Sequence, residues 1–107
     1  MTGLVEGGYN RSMIKDTVSE SALLPGDVVY FTAAWCAPCK QLRPQYGRAS
    51  VIDSDRTYHI IDVDSCDPDL LAAYGIQSVP KIFVVGEEAE IKARNAQAIV
   101  DEVRAMS

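Results

Sequence analysis

A continuous apolar run at residues 27–33, DVVYFTA, constrains the fold more than any other stretch of this chain. Its length and its β-branched and aromatic side chains indicate a strand that is covered on both faces. A second strand is predicted over residues 57–64, TYHIIDVD, with a helical segment between the two. Two strands joined by a helical crossover are parallel, with a right-handed connection. The sequence therefore predicts an α/β fold whose mixed parallel and antiparallel central sheet is flanked by helices on both faces.

The other segments fit this alternation of helices and strands. The first nine residues contain three glycines and are expected to be loose or to pair as a short edge strand. A helix is predicted over residues 11–20, capped by Asn10 and closed by Pro25-Gly26, with Met13, Ile14 and Val18 at helical spacing.

The second half of the chain contains the other predicted elements. A helix runs from the cysteine pair to about Gly47, kinked at Pro44, and a short helix lies between Asp67-Pro68 and Gly75. Residues 81–85 and 89–93 form a hairpin, and a last helix is capped by Asn95, with one apolar face formed by Ala96, Ile99, Val100, Val103 and Met106.

The composition is that of one globular domain over residues 1–107, with 48% hydrophobic and 23% charged residues. No apolar run approaches the roughly 18 residues that a membrane span needs. The N-terminus lacks the features of a secretory signal, so a cytoplasmic location is expected. A net charge of −5 without a basic cluster disfavours nucleic acid as a partner. Three cysteines, an odd number, do not form a disulfide framework.

Cys36 and Cys39 lie where the first buried strand gives way to a helix. Functional groups in open α/β sheets collect beyond the carboxyl ends of the strands. The free N–H groups and the dipole at a helix N-terminus favour an anion, so the Cys36 thiol is expected to ionise readily and to be the nucleophile. Cys39 lies one turn further on, where Cβ atoms are roughly 5 to 6 Å apart, and is the predicted resolving thiol. Pro38 suits the first turn of this helix.

Two other interpretations of the cysteine pair compete with a redox dithiol. A closed zinc site needs four ligands, and beyond the pair only Cys66 and His59 remain, at a spacing unlike a zinc ribbon or finger. Two inert buried cysteines are the other alternative, which the position after a strand in a βαβ pattern disfavours. Cys66 is expected to be a bystander or an auxiliary redox thiol, and His59 to be structural.

The polar and aromatic neighbours of the cysteines also have two interpretations each. Trp35 either shields the nucleophile and offers a contact face to a protein substrate, or is a buried core residue. Lys40 is expected to be a solvated helix residue that modestly favours the thiolate. Asp62 and Asp64 are expected at a solvated strand terminus, with an approach to the active end of the sheet as the alternative.

Residues 35–40, WCAPCK, resemble the Trp-Cys-Gly-Pro-Cys-Lys active site of thioredoxins. Pro44 matches the kinking proline of that family, and residues 74–85, YGIQSVPKIFVV, resemble its stretch in which Ile/Val-Pro precedes a strand. Together these motifs cover about residues 28–85. The resemblance implies a thioredoxin-like fold in which Pro80 is cis and lies against the dithiol.

The resemblance also implies a function, that of a protein disulfide oxidoreductase with Cys36 and Cys39 as catalytic residues. It implies a substrate-binding surface formed by Trp35, Ala37, Pro38, Val79 and Pro80, in which the Val79 backbone bonds to an extended substrate segment. No cofactor and no metal are expected. The implied partners are disulfide-containing client proteins such as ribonucleotide reductase, and a flavin- and NADPH-dependent reductase as electron donor; the expected form is a monomer, with a role in electron transport and cell redox homeostasis.

The chain departs from the thioredoxin pattern at several positions. Ala37 replaces the usual glycine between the cysteines, and the glycine near the end of the last strand is missing. Tyr30 and Ile60 stand where thioredoxins carry a buried Asp and, on the next strand, a Lys. Proton transfer at Cys39 is therefore expected to follow another route, such as water.

Some departures resemble glutaredoxins, in which an apolar residue replaces that Asp and a motif like VPKIFVVG recurs. Ala33 stands where that family has a basic residue, and no Gly-Gly pair follows the hairpin. A glutathione-dependent redoxin is the alternative enzyme. A thioredoxin-fold binding module with an incidental dithiol is the alternative outside the enzymes.

Overall fold

The structure, a computed structural model, describes residues 14–106. Strands, helices and one turn of 3-10 helix follow one another along this part of the chain. The strands are β1 (Ile14–Asp16), β2 (Val28–Thr32), β3 (Tyr58–Asp62) and β4 (Lys81–Val84), the helices are α1 (Ala37–Ile52), α2 (Pro68–Tyr74) and α3 (Ala96–Met106), and the 3-10 turn is Glu20–Ala22. Within these residues, no helix is both long enough and apolar enough to cross a membrane.

The four strands form one mixed sheet in the order β1-β3-β2-β4. Strands β1 and β2 both run parallel to β3, and β4 runs antiparallel to β2. In the central pair Tyr30 lies opposite Ile60, and Thr32 opposite Asp62. The predicted mixed sheet, with α1 as the crossover between two parallel strands, is confirmed.

Helices cover both faces of this sheet, as predicted. On one face α1 and α3 pack on the side chains of Val28 and Tyr30 from β2. On the other face α2 packs through Leu70 on Val29 and Phe31. All four of these β2 side chains are buried, which explains why this strand is an unbroken apolar run rather than an alternating one.

The helix predicted over residues 11–20 is wrong for the part that the structure describes. Residues Ile14–Asp16 form β1 instead, and only Glu20–Ala22 turn as a 3-10 helix. The open edge of β3 offers backbone partners that β1 takes up in a parallel pairing, which outweighs a weak helical spacing. The first nine residues, Asn10 and Met13 lie outside the described residues.

Two other boundaries differ from the prediction. Helix α1 continues through the buried Gly47 to Ile52, because packing compensates the roughly 1 kcal/mol that a helical glycine costs. The second strand of the hairpin is reduced to one bridge between Phe83 and Glu90. Ile91 still donates its backbone N–H to the Ile82 oxygen at 2.7 Å, but beyond it Glu102 Oε1 on α3 accepts the backbone N–H groups of Lys92 and Ala93, at 3.0 and 2.8 Å.

The helix ends that carry clear capping residues are confirmed. The Asp67 side chain accepts from the N–H of Asp69 at the start of α2, and Gly75 closes that helix in the left-handed region with φ 62°. The Asn95 side chain accepts from the N–H of Ala98 at 3.0 Å at the start of α3. Local capping chemistry thus sets both ends of α2 and the start of α3.

His59 is buried on β3, in agreement with the structural role expected of it. Its Nε2 lies 2.8 Å from Asp27 Oδ2, and its Nδ1 lies 2.7 Å from Thr17 Oγ1. The same Asp27 oxygen accepts the N–H of Leu24 at 3.1 Å. This network joins the segment after β1, the start of β2 and β3 through hydrogen bonds shielded from water.

Tyr46 joins α1 to the two central strands. Its ring is fully buried, and its hydroxyl donates to the backbone oxygen of His59 at 2.7 Å and of Val28 at 3.2 Å. Burial raises the pKa of Tyr46 well above its ordinary value, so the hydroxyl remains a donor. One side chain therefore holds the crossover helix against the parallel pair that it connects.

We expect Tyr46→Phe to lower the free energy of unfolding by about 1 to 3 kcal/mol, because it leaves buried carbonyl oxygens without a donor. Urea unfolding followed by circular dichroism measures the change. Tyr74→Phe is the matched control. The half-buried Tyr74 ring contacts Phe31 at a centroid distance of 5.3 Å, a contact that Phe would keep. Loss of the Tyr74 hydroxyl should lower the free energy of unfolding by less than about 0.5 kcal/mol. Equal urea midpoints for the two variants would contradict this account of Tyr46.

Candidate functional site

Cys36 and Cys39 form a disulfide at the N-terminus of α1, with their Cα atoms 5.3 Å apart. Cys36 is the N-cap of the helix, with extended backbone angles, and Cys39 lies in the first turn. Both side chains are nearly covered, at 4% and 2% exposure. The predicted pairing of these two cysteines is therefore present in the structure.

The two sulfur atoms have different surroundings. Cys36 Sγ accepts the backbone N–H of Cys39 at 3.2 Å, in the place that a capping oxygen takes at other helices. A charged sulfur would strengthen this hydrogen bond and would meet the positive end of the helix dipole. Cys39 contributes the N–H and lies inside the turn. The geometry thus favours the anion on Cys36.

Trp35 lies on the surface beside the disulfide, with 67% of its area exposed. The alternative of a buried core tryptophan is wrong. Its indole Nε1 donates to Asp64 Oδ2 at 2.8 Å, and the N–H of Asp64 donates in turn to Asp62 Oδ1 at 2.9 Å. The loop after β3 thus holds the indole ring. Both aspartates are exposed at the end of the strand, as expected, and Asp64 also approaches the active end of the sheet, which was the alternative. No signal in the sequence indicated its bond to Trp35.

The peptide bond between Val79 and Pro80 is cis, as the resemblance to thioredoxins implies. Pro80 directly precedes β4, whose first residue Lys81 pairs with Phe31 near the end of β2. This places the cis peptide at the end of the sheet from which β2 leads to the cysteines. Ala37 and Pro38 are exposed in the first turn of α1. All seven predicted site residues therefore belong to this end of the sheet.

A cleft of about 480 Å³ opens beside Cys39. Two of its walls are the end of the sheet and the first turns of α1. It is lined by Asp16, Thr32, Ala33, Ala34, Cys39, Lys40, Arg43, Pro44, Ile60 and Asp62. The less accessible of the two sulfur-bearing residues therefore borders a space that contains charged groups of both signs.

Tyr30 lies beneath the disulfide on β2 and is fully buried. Its hydroxyl donates to the backbone oxygen of Cys39 at 3.0 Å, and its ring contacts the Tyr46 ring at a centroid distance of 4.8 Å. Burial raises the pKa of Tyr30 above its ordinary value. At the position of the thioredoxin aspartate this chain therefore has a neutral donor that holds the first turn of α1.

Cys66 lies in the loop after β3 and is the free cysteine of the described chain. It is partly buried, and its sulfur is 4.0 Å from the backbone oxygen of Val63. Burial, with smaller contributions from Asp62 and Asp67, raises the pKa of this thiol. Cys66 is therefore a poor nucleophile near neutral pH. Among residues 14–106, no three His, Cys, Asp or Glu side chains gather as metal ligands.

The thioredoxin family model matches residues 11–105 of the chain. Thioredoxin-1 of Schizosaccharomyces pombe is 35% identical over 89 residues, which cover 81% of this chain and 82% of that protein. A relative from Streptomyces coelicolor is 31% identical over 94 residues, and thioredoxin of Mycoplasma genitalium is 40% identical over 65. These matches cover 88% and 61% of this chain, but only 66% and 63% of the two relatives, so the chain spans just under two thirds of their length.

Solved structures show the same fold. The Trx4 domain of ERdj5 superimposes with a TM-score of 0.74 at 17% identity, covering 90% of this chain and 96% of that one. Plasmodium falciparum thioredoxin gives a TM-score of 0.66 at 22% identity, covering 88% and 99%. The fold expected from the resemblance is confirmed.

Substitution of Asp64 tests how the indole ring is held. In Asp64→Ala the Trp35 N–H loses its acceptor, so we expect faster ring motion, measured as a lower time-resolved fluorescence anisotropy of the chain's single tryptophan. Asp69→Ala is the control, since it removes the same charge from an exposed position on α2. An unchanged anisotropy in Asp64→Ala would show that the ring is held by other contacts.

Proposed function

Because the chain belongs to the thioredoxin family, we propose that it is a protein disulfide oxidoreductase in which Cys36 is the nucleophile and Cys39 the resolving thiol. One observation carries this proposal: the two cysteines form a disulfide at the N-terminus of a helix, where only Cys36 accepts a backbone N–H through its sulfur. A thiolate at that position is stabilised without a metal or a bound cofactor.

The reaction proceeds in two exchange steps. The Cys36 thiolate attacks one sulfur of a client disulfide, forms a mixed disulfide and releases the other client sulfur as a thiolate. Cys39 then loses its proton and attacks Cys36 Sγ, which forms the Cys36–Cys39 disulfide and releases the second client thiolate. The client gains two electrons, the dithiol loses two, and solvent protonates the client thiolates.

The surface around the disulfide supports the binding of an extended client segment. Trp35 offers an exposed aromatic face that Asp64 holds in place. Ala37 and Pro38 leave the approach to Cys36 free of long side chains. Val79 and Pro80 lie at the same end of the sheet, and the Val79 backbone would pair with the client as a strand.

We infer the source of electrons and the location from the likeness to thioredoxins. A flavin- and NADPH-dependent reductase returns the disulfide to the dithiol, and ribonucleotide reductase is among the clients. The protein acts as a monomer in the cytoplasm. The proposed cellular role of the protein is to transfer electrons to client disulfides and so to maintain redox homeostasis.

Serine variants of the three cysteines test the assignment of roles. With dithiothreitol as reductant and a disulfide-bonded peptide as client, we expect Cys36→Ser to fall to the uncatalysed rate of reduction. Cys39→Ser, reduced and then freed of dithiothreitol before the peptide is added, should accumulate a mixed disulfide between Cys36 and the client, seen by intact mass. Cys66→Ser, the matched control, should keep the wild-type rate.

Retention of biological activity by Cys36→Ser would instead favour a binding module. If glutathione reduces the Cys36–Cys39 disulfide faster than the flavoprotein reductase does, the glutathione-dependent alternative is favoured.

A further inference from the structure

The resolving step needs a proton acceptor that the two buried neighbours of Cys39 do not provide. Cys39 is 2% exposed and attacks only as a thiolate. Tyr30 is a neutral phenol that already donates to the Cys39 backbone oxygen. Ile60, opposite Tyr30 on β3, is apolar. The proton of Cys39 therefore leaves by another side of the residue.

The cleft beside Cys39 is that side. A volume of about 480 Å³ has room for several water molecules, since one water occupies roughly 30 Å³ in the liquid. The ionisable groups that face it come from three elements: Asp16 from β1, Asp62 from β3, and Lys40 and Arg43 from α1. The carboxylates are the potential bases, whereas the two cations favour the thiolate without accepting its proton.

Sheet register distinguishes the two carboxylates. Asp62 lies directly opposite Thr32, the last residue of β2 before the chain turns towards the disulfide. Asp16 lies on the edge strand opposite Ile60, two residue pairs earlier along the sheet. Of the two, Asp62 is on the strand adjacent to β2 and is closer to the carboxyl end where the cysteines lie.

We propose that Asp62 accepts the proton of Cys39 through water in this cleft, an inference that rests on the proposed oxidoreductase function. The Cys39 thiol gives its proton to water, which passes a proton to the Asp62 carboxylate. The resulting thiolate attacks Cys36 Sγ and expels the client sulfur, and the carboxylic acid returns its proton to solvent. In recharging, the same route returns a proton to Cys39 as it leaves the disulfide.

A mixed disulfide between Cys36 and thionitrobenzoate isolates this step. The chromophore leaves as a stable thiolate, so its release reports the attack by Cys39 alone. We expect Asp62→Asn to slow release about a hundredfold near neutral pH, the lower part of the range for general base catalysis. The difference in release rate between Asp62→Asn and the wild type should become smaller as pH rises, because hydroxide then takes the Cys39 proton. The rate at which Cys36 attacks the disulfide reagent that supplies thionitrobenzoate is measured first, and Asp62→Asn should leave this rate unchanged.

The sign of the effect separates a proton acceptor from a nearby charge. Removing a negative charge next to a thiol favours its thiolate, so a purely electrostatic role predicts faster release in Asp62→Asn. Asn keeps a side-chain oxygen for the N–H of Asp64, and Asp62→Glu should restore the wild-type pH profile. Asp16→Asn is the matched control from the same cleft and should show no slowing.

Wild-type release in Asp62→Asn, faster release, or an equal loss in Asp16→Asn would each overturn the inference about Asp62 alone. Absence of release from the wild-type mixed disulfide would instead overturn the proposed function. Thermal unfolding of each variant by circular dichroism establishes that the fold is intact before the rates are compared.

Discussion

The parallel pairing of β2 with β3 is the constraint on which the rest of the structure depends. Parallel neighbours need a crossover, and α1 provides it by starting at the end of β2 and returning over the sheet. The N-terminus of α1 must therefore lie at the carboxyl end of the strands. Cys36 occupies that junction as the N-cap, so its sulfur meets unpaired N–H groups because of the topology. The position of the disulfide is therefore a consequence of the parallel crossover.

Beneath the dithiol the chain has Tyr30 and Ile60, neither of which carries a charge. A buried phenol gives the first turn of α1 a hydrogen bond without placing a charge in the core. Proton transfer then takes place in the cleft beside Cys39, where Asp62 is exposed to solvent. The interior under the site becomes a purely structural layer in which the Tyr30 ring contacts the Tyr46 ring at a tilt of 51°. Proton transfer and support of the helix are thereby carried out by different residues.

Much of this arrangement could be predicted from the sequence because its signals are local. The apolar runs of β2 and β3 and the capping residues of α2 and α3 each act within a few positions, and the spacing of Cys36 and Cys39 gives their pairing. β1 was missed because three residues of edge strand depend on a partner far along the chain. The hairpin was overextended because Glu102, outside the local pattern, takes the backbone donors.

The parts of the site that the sequence did not reveal join distant positions. The bond between Trp35 and Asp64 spans 29 residues. The bond between Tyr30 and Cys39 crosses from a strand to a helix. Neither can be inferred before the sheet is assembled, because each depends on two elements meeting at one end of it. Composition and motif spacing identify the reacting atoms but not the groups that hold them.

We infer that the end of the sheet gives Cys36 a sulfur that ionises more readily than the other two thiols. The most direct measurement is the alkylation rate of each cysteine in the reduced protein as a function of pH, with the labelled peptides resolved by mass spectrometry. We expect Cys36 to reach its maximum rate at the lowest pH and Cys66, whose pKa burial raises, at the highest. Coincident profiles for Cys36 and Cys66 would contradict it.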